Sequence, residues 1–190
     1  MDRLIEKIVD KQLKNGVISK EDIPVYRYGY LLLFEMLLNI VAGLIVGIML
    51  GQIGIVIAFW LAYIPLRSYA GGWHASTFFR CFMVSLLSLI GALIIVRMDV
   101  IDSSGITTCV DAICTALIII LSPIDTQEKP LKDIEKRRYK RITVIILVIH
   151  ALVSILMVKL RIMLLYVHVV LCMALIVQLV INNTQGMRKR

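Results

Sequence analysis

The chain has 190 residues, of which 59% are hydrophobic and only 18% charged, with a mean hydropathy of +0.88. No soluble core of this size consumes so much Leu, Ile and Val, so the composition excludes a soluble globular domain and indicates an integral membrane protein. The formal net charge of +8 does not indicate a nucleic-acid partner, because the basic residues stand at the chain ends and between apolar blocks, with no basic groove interleaved with stacking aromatics.

The opening, MDRLIEKIVDKQLKNG, lacks the basic start and immediate apolar run of a signal peptide. Leu4, Ile5, Ile8, Val9 and Leu13 recur at helical spacing against a charged opposite face, and Asn15-Gly16 is a stop. Residues 1–20 therefore read as an amphipathic helix lying in the membrane interface, or as one packed on the protein's own cytoplasmic face; both have the same pattern. Tyr26, Tyr28 and Tyr30 follow as an interfacial belt.

Apolar blocks then fall at about 28–50, 53–66, 81–98, 105–122, 142–158 and 162–181, each near the ~20 residues that cross a bilayer except the second. The expected fold is all-α: a single polytopic membrane domain over 1–190, with six transmembrane helices after the amphipathic one. The short second block extends to about Tyr69 if Arg67 snorkels. Basic residues crowd the N-terminus, the 67–80 segment, the 123–141 loop and the C-terminus, whereas Arg97, Lys159 and Arg161 stand alone opposite them. The positive-inside rule puts both termini and both segments in the cytosol. No internal repeat or separate soluble domain is visible, and the basic 123–141 loop carries Pro123 and Pro130 as helix breakers.

The four cysteines, Cys81, Cys109, Cys114 and Cys172, show neither a disulfide framework nor metal-ligand spacing. No metal or cofactor is expected. Glu35 and Asn39, one turn apart in the first span, and Asp111 in the fourth are membrane acids and amides that touch a substrate path or bond between helices. His150 and His168, in the last two spans, lack ligand-like partners and read as satisfied core residues, with a metal site or proton relay as the alternative.

The segment RSYAGGWHASTFFRC, residues 67–81, is unlike its apolar flanks. Gly71-Gly72 lets the chain leave helical geometry, His74 follows on a turn, and Ser76 or Thr77 can cap the next helix, near whose positive end Cys81 stands. A thiolate is the nucleophilic form of cysteine, so a helix start and a nearby cation favour catalysis, and His74 can carry the proton. On a straight helix residues seven apart are separated by roughly 10 Å along the axis, so the pair needs a bend between them. Arg67 is the better cation for a substrate carboxylate or an oxyanion, since a charge at the membrane edge is costly without a purpose. A histidine and a cysteine near a membrane surface also meet by chance, and Trp73 is an ordinary interfacial anchor.

The pattern R-x3-GG-x-HA-x5-C after a short second apolar block, with SPIDTQEKPL and KRRYKR between the fourth and fifth, resembles the accessory gene regulator B family of bacterial membrane cysteine endopeptidases. The resemblance covers most of the chain. It implies an enzyme that processes a short amphipathic propeptide with an acidic C-terminal tail into a cyclic autoinducer for quorum sensing. Cys81 would be the nucleophile and His74 its acid-base partner. Arg67, Gly71 and Gly72 would support activity, Lys129 would handle substrate, and the protein would be a homodimer in the cell membrane. The competing reading of the same segment is a small membrane carrier or scaffold whose 67–81 loop re-enters the membrane and binds an anion.

Overall fold

The computed structural model describes residues 2–73, 77–98, 105–124 and 131–188. They form seven α-helices: α1 Asp2–Lys14, α2 Ile23–Met49, α3 Ile53–Ala70, α4 Phe78–Arg97, α5 Gly105–Leu121, α6 Asp133–Leu156 and α7 Val158–Arg188. A short 3-10 turn, Lys20–Asp22, leads into α2. There is no β-strand among the described residues, only an isolated bridge between Gly71 and Ile124.

The chain is a multi-pass membrane protein. Five segments are long and apolar enough to cross a bilayer: Lys20–Met49, Ile53–Ala70, Phe78–Arg97, Asp133–Leu156 and Val158–Thr184. The remaining apolar block, the fourth in chain order, forms the shorter α5, which at 17 residues is roughly 25 Å long against a ~30 Å hydrocarbon core. Large apolar side chains project outward from the bundle, including Ile48, Leu61, Ile120 and Leu156. Water would penalise such a surface, whereas lipid does not.

α1 stops where the sequence indicated, at Lys14, and Gly16 adopts a positive φ of 68°. Its apolar face is covered by the chain itself: Ile5 and Val9 are buried with Ile18 against Tyr30, Leu31 and Phe34. Gln12 donates to the Tyr30 hydroxyl at 2.5 Å, and Arg27 pairs with Glu6 at 3.5 Å. The N-terminal helix is therefore packed on α2. Beyond α1, the Asp22 carboxylate accepts from the Ser19 amide and hydroxyl, which closes the turn into α2.

α3 runs through Pro65 to Ala70, so the second block does extend past Arg67. With α7 it forms the centre of the bundle, where Val56, Leu66 and Ala70 of α3 and Val167, Leu171 and Leu175 of α7 are wholly buried. α6 begins at Asp133, well before the apolar block at 142, so KRRYKR belongs to its first turns instead of to a loop. Lys and Arg are good helix formers, and Glu135 caps the start by accepting from the Lys132 amide at 2.9 Å.

α5 is held at both ends. At its C-terminus, Lys140 of α6 donates to the carbonyls of Ile119 and of Ser122, the latter at 2.9 Å, satisfying acceptors that the helix leaves open. Toward its other end, Asp111 accepts from His168 Nδ1 at 2.7 Å, and His168 Nε2 lies 3.1 Å from His150 Nδ1. The two imidazoles stack with centroids 5.4 Å apart. The sequence offered these three residues separately; the fold joins them into one chain across α5, α7 and α6.

Because His150 and His168 are buried while Asp111 keeps 34% of its side chain exposed, removing the middle member strands one buried ring and leaves one carboxylate solvated. His168→Ala is expected to cost about 1–3 kcal/mol, read as a lower Tm of the detergent-solubilised protein. An unchanged Tm would show that the three groups do not hold α5 in place.

Candidate active site

The end of the bundle that carries most of the basic residues is built from the C-terminal turn of α3, the start of α4, the segment after α5 and the later turns of α7. α3 ends at Gly71, whose φ is 78° and whose amide donates to the Arg67 carbonyl at 3.1 Å. Gly72 follows with φ of 116°. Both lie where a side chain strains the backbone, and both are also crowded. A Cβ at Gly71 would sit 2.7 Å from the Ile124 carbonyl oxygen, and one at Gly72 would sit 2.2 Å from an Arg67 guanidinium nitrogen and 3.3 Å from the backbone of Ala174.

Arg67 organises this turn. Its guanidinium donates to the Gly71 carbonyl at 2.5 Å through one terminal nitrogen and to the Trp73 carbonyl through the other. A planar fork suits two acceptors held at a fixed separation, and a lysine could not reproduce it. Two further ties anchor the loop from outside. The Trp73 amide donates to the Ala174 carbonyl of α7 at 3.0 Å, and the Ile124 amide donates to the Ala70 carbonyl at 3.2 Å. Tyr69 and Tyr139 add an edge-on ring contact between α3 and α6, with centroids 5.3 Å apart.

α4 starts after Thr77, whose backbone is extended and whose hydroxyl accepts from the Arg80 amide at 3.4 Å. Of the two residues offered as caps, Thr77 takes the role; Ser76 lies outside the described residues. Cys81 is in the first turn of α4, half-buried and in no disulfide, with its amide bonded to the Thr77 carbonyl at 3.0 Å. Arg67 and Tyr63 of α3 are close enough to interact electrostatically with Cys81.

Of the residues singled out in the sequence, Arg67, Gly71 and Gly72 thus form one turn, and Cys81 on α4 lies within electrostatic reach of its arginine. His74 and Lys129 lie outside the described residues. Arg67 differs from its expected part: two of its donors bind the protein's own loop, so it shapes the backbone before it can meet any ligand. Sequence reasoning missed Ile124 and Ala174 because they enter from other elements, and it missed Tyr63 on α3 itself. A tyrosine one turn before Arg67 was the one available signal.

The apolar helices define a multi-pass helical membrane protein, with a thiol at a helix start within electrostatic reach of a guanidinium fixed by a double-glycine loop. The family model described as accessory gene regulator B matches residues 2–181. The chain belongs to that family, whose members are membrane proteins with cysteine-protease-like chemistry that process quorum-sensing propeptides. No curated protein and no solved structure matches the chain.

Proposed function

We propose that this protein is a cysteine endopeptidase that removes the C-terminal tail of an autoinducer propeptide and promotes closure of the remaining peptide into a thiolactone or lactone. The observation that carries this reading is the position of the Cys81 thiol at the start of α4, within electrostatic reach of the Arg67 guanidinium. A cation and a helix start both favour the thiolate.

In the first step Cys81 Sγ attacks the carbonyl carbon of the scissile bond while His74 takes the thiol proton. The tetrahedral oxyanion collapses, the C–N bond breaks, and His74 returns the proton to the leaving amine. The tail departs with a new N-terminus, and the acyl group stays on Cys81 as a thioester. In the second step a cysteine thiol or serine hydroxyl within the bound peptide attacks the thioester carbonyl. Its proton passes to His74, the C–S bond breaks, and Cys81 is regenerated as the ring leaves. The separation of His74 and Cys81 on a straight helix is no objection, because the backbone is not helical at Gly71, Gly72 or Thr77. Donors of Arg67 beyond the two bound to the loop can steady the oxyanion.

In this reading α5 also crosses the membrane, as the fourth of six spans, α1 lies at the cytosolic face, and the positive-inside rule sets both termini and Cys81 in the cytosol. The basic residues of that face, with Lys129 among them, receive the acidic tail. The protein acts as a homodimer in the lipid bilayer. The internal engagement of Arg67 by Gly71 and Trp73 favours this reading over a carrier that uses the same guanidinium to bind an anion. The test is to incubate the purified protein in lipid vesicles with the propeptide encoded beside its gene and follow peptide mass. Release of the tail with a peptide-enzyme thioester supports the proposal, and no release contradicts it.

A further inference from the structure

A cleft of about 270 Å³ lies between α2, α3 and α4, with Glu35 and Asn39, Trp60 and Tyr63, and Ser85 and Leu89 among its walls. It shares Tyr63 with the surroundings of Arg67 and Cys81. Tyr63 stands one turn before Arg67 on α3, and Ser85 one turn after Cys81 on α4, in each case roughly 6 Å along the axis. Both steps lead away from the basic end of the bundle, so the cleft starts one turn beyond the level of Cys81 and runs toward the membrane interior.

Glu35 is the feature that packing does not explain. It sits within an apolar span, half-buried, and its carboxyl group makes no hydrogen bond or ion pair among the described residues. Such a group is expensive in a membrane helix and is retained where something polar comes to it. Asn39 is fixed beside it, its amide nitrogen donating to the Glu35 carbonyl at 3.0 Å. A lipid tail brings no donor to these acceptors. An extended peptide brings backbone N–H groups that find no partner in an apolar environment.

We propose that this cleft is the subsite for the propeptide residues immediately before the scissile bond, the acyl side that stays on Cys81 after the tail leaves. This inference rests on the peptidase reading and adds to it the direction in which the substrate lies. Apolar side chains of the peptide pack on Trp60 and Leu89, and its backbone N–H groups donate to Glu35 and Asn39. Charge sets the orientation: an acidic tail is repelled by Glu35 and drawn to the basic end, where Arg80 and the first turns of α6 lie. At about 270 Å³ the cleft is slightly below the ~300–1,000 Å³ of small-molecule pockets, so it takes a few side chains and not a whole propeptide. Holding this segment away from water is also what lets ring closure outrun hydrolysis of the thioester.

The test uses the full chain in vesicles and three versions of the propeptide, with Gly, Leu or Trp before the scissile bond. Ser85→Phe fills the cleft and is expected to lower kcat/KM for the Trp peptide at least tenfold more than for the Gly peptide. Glu35→Gln is expected to raise KM about tenfold for all three, with a smaller change in kcat, and Glu35→Asp to recover part of the loss. Maleimide labelling of Cys81 at the wild-type rate certifies that each variant is folded around its site, and the Glu35 pair carries the test if Ser85→Phe fails that check. If wild type releases the tail but all variants keep its selectivity and KM within twofold, the cleft is a lipid-facing groove and only this inference falls. If wild type releases no tail from any of the peptides, the peptidase reading falls and this inference with it.

Discussion

Cys81→Ala protein binds the propeptide in vesicles and releases none of its tail. The expected loss in turnover is at least ~10⁴-fold, since removing the nucleophile of a protease that works through a covalent intermediate costs on the order of 10⁶ in kcat. What remains is catalysis by oriented binding and by the donors around the oxyanion. Cys81→Ser is expected to be nearly as damaged, because a hydroxyl is far less acidic than a thiol and is a weaker nucleophile near neutral pH. Mass spectrometry of the peptide reads tail release, and mass spectrometry of the intact protein reads the acyl-enzyme, which should be lost on treatment with hydroxylamine. Equal cleavage by wild type and the alanine variant would remove Cys81 from the mechanism and return the 67–81 segment to a binding role.

The second large effect is expected from the smallest addition. Gly72→Ala asks an L-residue to hold φ of 116° and places a methyl group against the Arg67 guanidinium and the Ala174 backbone. The backbone strain alone is about 1–3 kcal/mol, and the methyl must displace either the arginine or α7. The guanidinium is the movable partner, and moving it releases the carbonyls of Gly71 and Trp73 that set the path of the chain into α4. A misplacement of about 1 Å at a reacting centre costs ~10²-fold in rate, so turnover is expected to fall about a hundredfold while the protein stays folded. Arg67→Lys should lose activity comparably, because an ammonium cannot hold two carbonyls in a planar fork. Turnover and Tm measured on the same samples separate the site effect from global unfolding. Wild-type turnover in Gly72→Ala would mean that the Arg67 turn does not govern the chemistry.

These two residues show different degrees of legibility. Cys81 could be marked as a candidate nucleophile from the sequence because nucleophilic chemistry restricts the residue type, and helix capping by Thr77 is a local matter that hydroxyl spacing reveals. Gly72 could be marked as a bend, but not as the contact surface for Arg67 and Ala174. The Ala174 contact joins positions about a hundred residues apart, and nothing in the local pattern encodes it. The same holds for Asp111, His168 and His150. Each looked like an isolated polar residue in an apolar helix, and their connection depends on how α5, α6 and α7 are packed.

The sequence by itself determined that the chain is an all-α membrane protein, where most of its apolar helices run, which end collects the basic residues, and which short segment holds the reactive groups. It could do so because hydrophobic length, helical periodicity and residue chemistry are properties of neighbouring residues. The tertiary structure alone decided that α1 folds onto α2, that KRRYKR is helical, that Arg67 spends two donors on its own loop, and that Glu35 lines a cleft one turn beyond Cys81. Those outcomes are set by which helix faces meet, and inside a bilayer that choice rests on close packing and on the pairing of a few polar groups, not on hydrophobicity, which all the spans share.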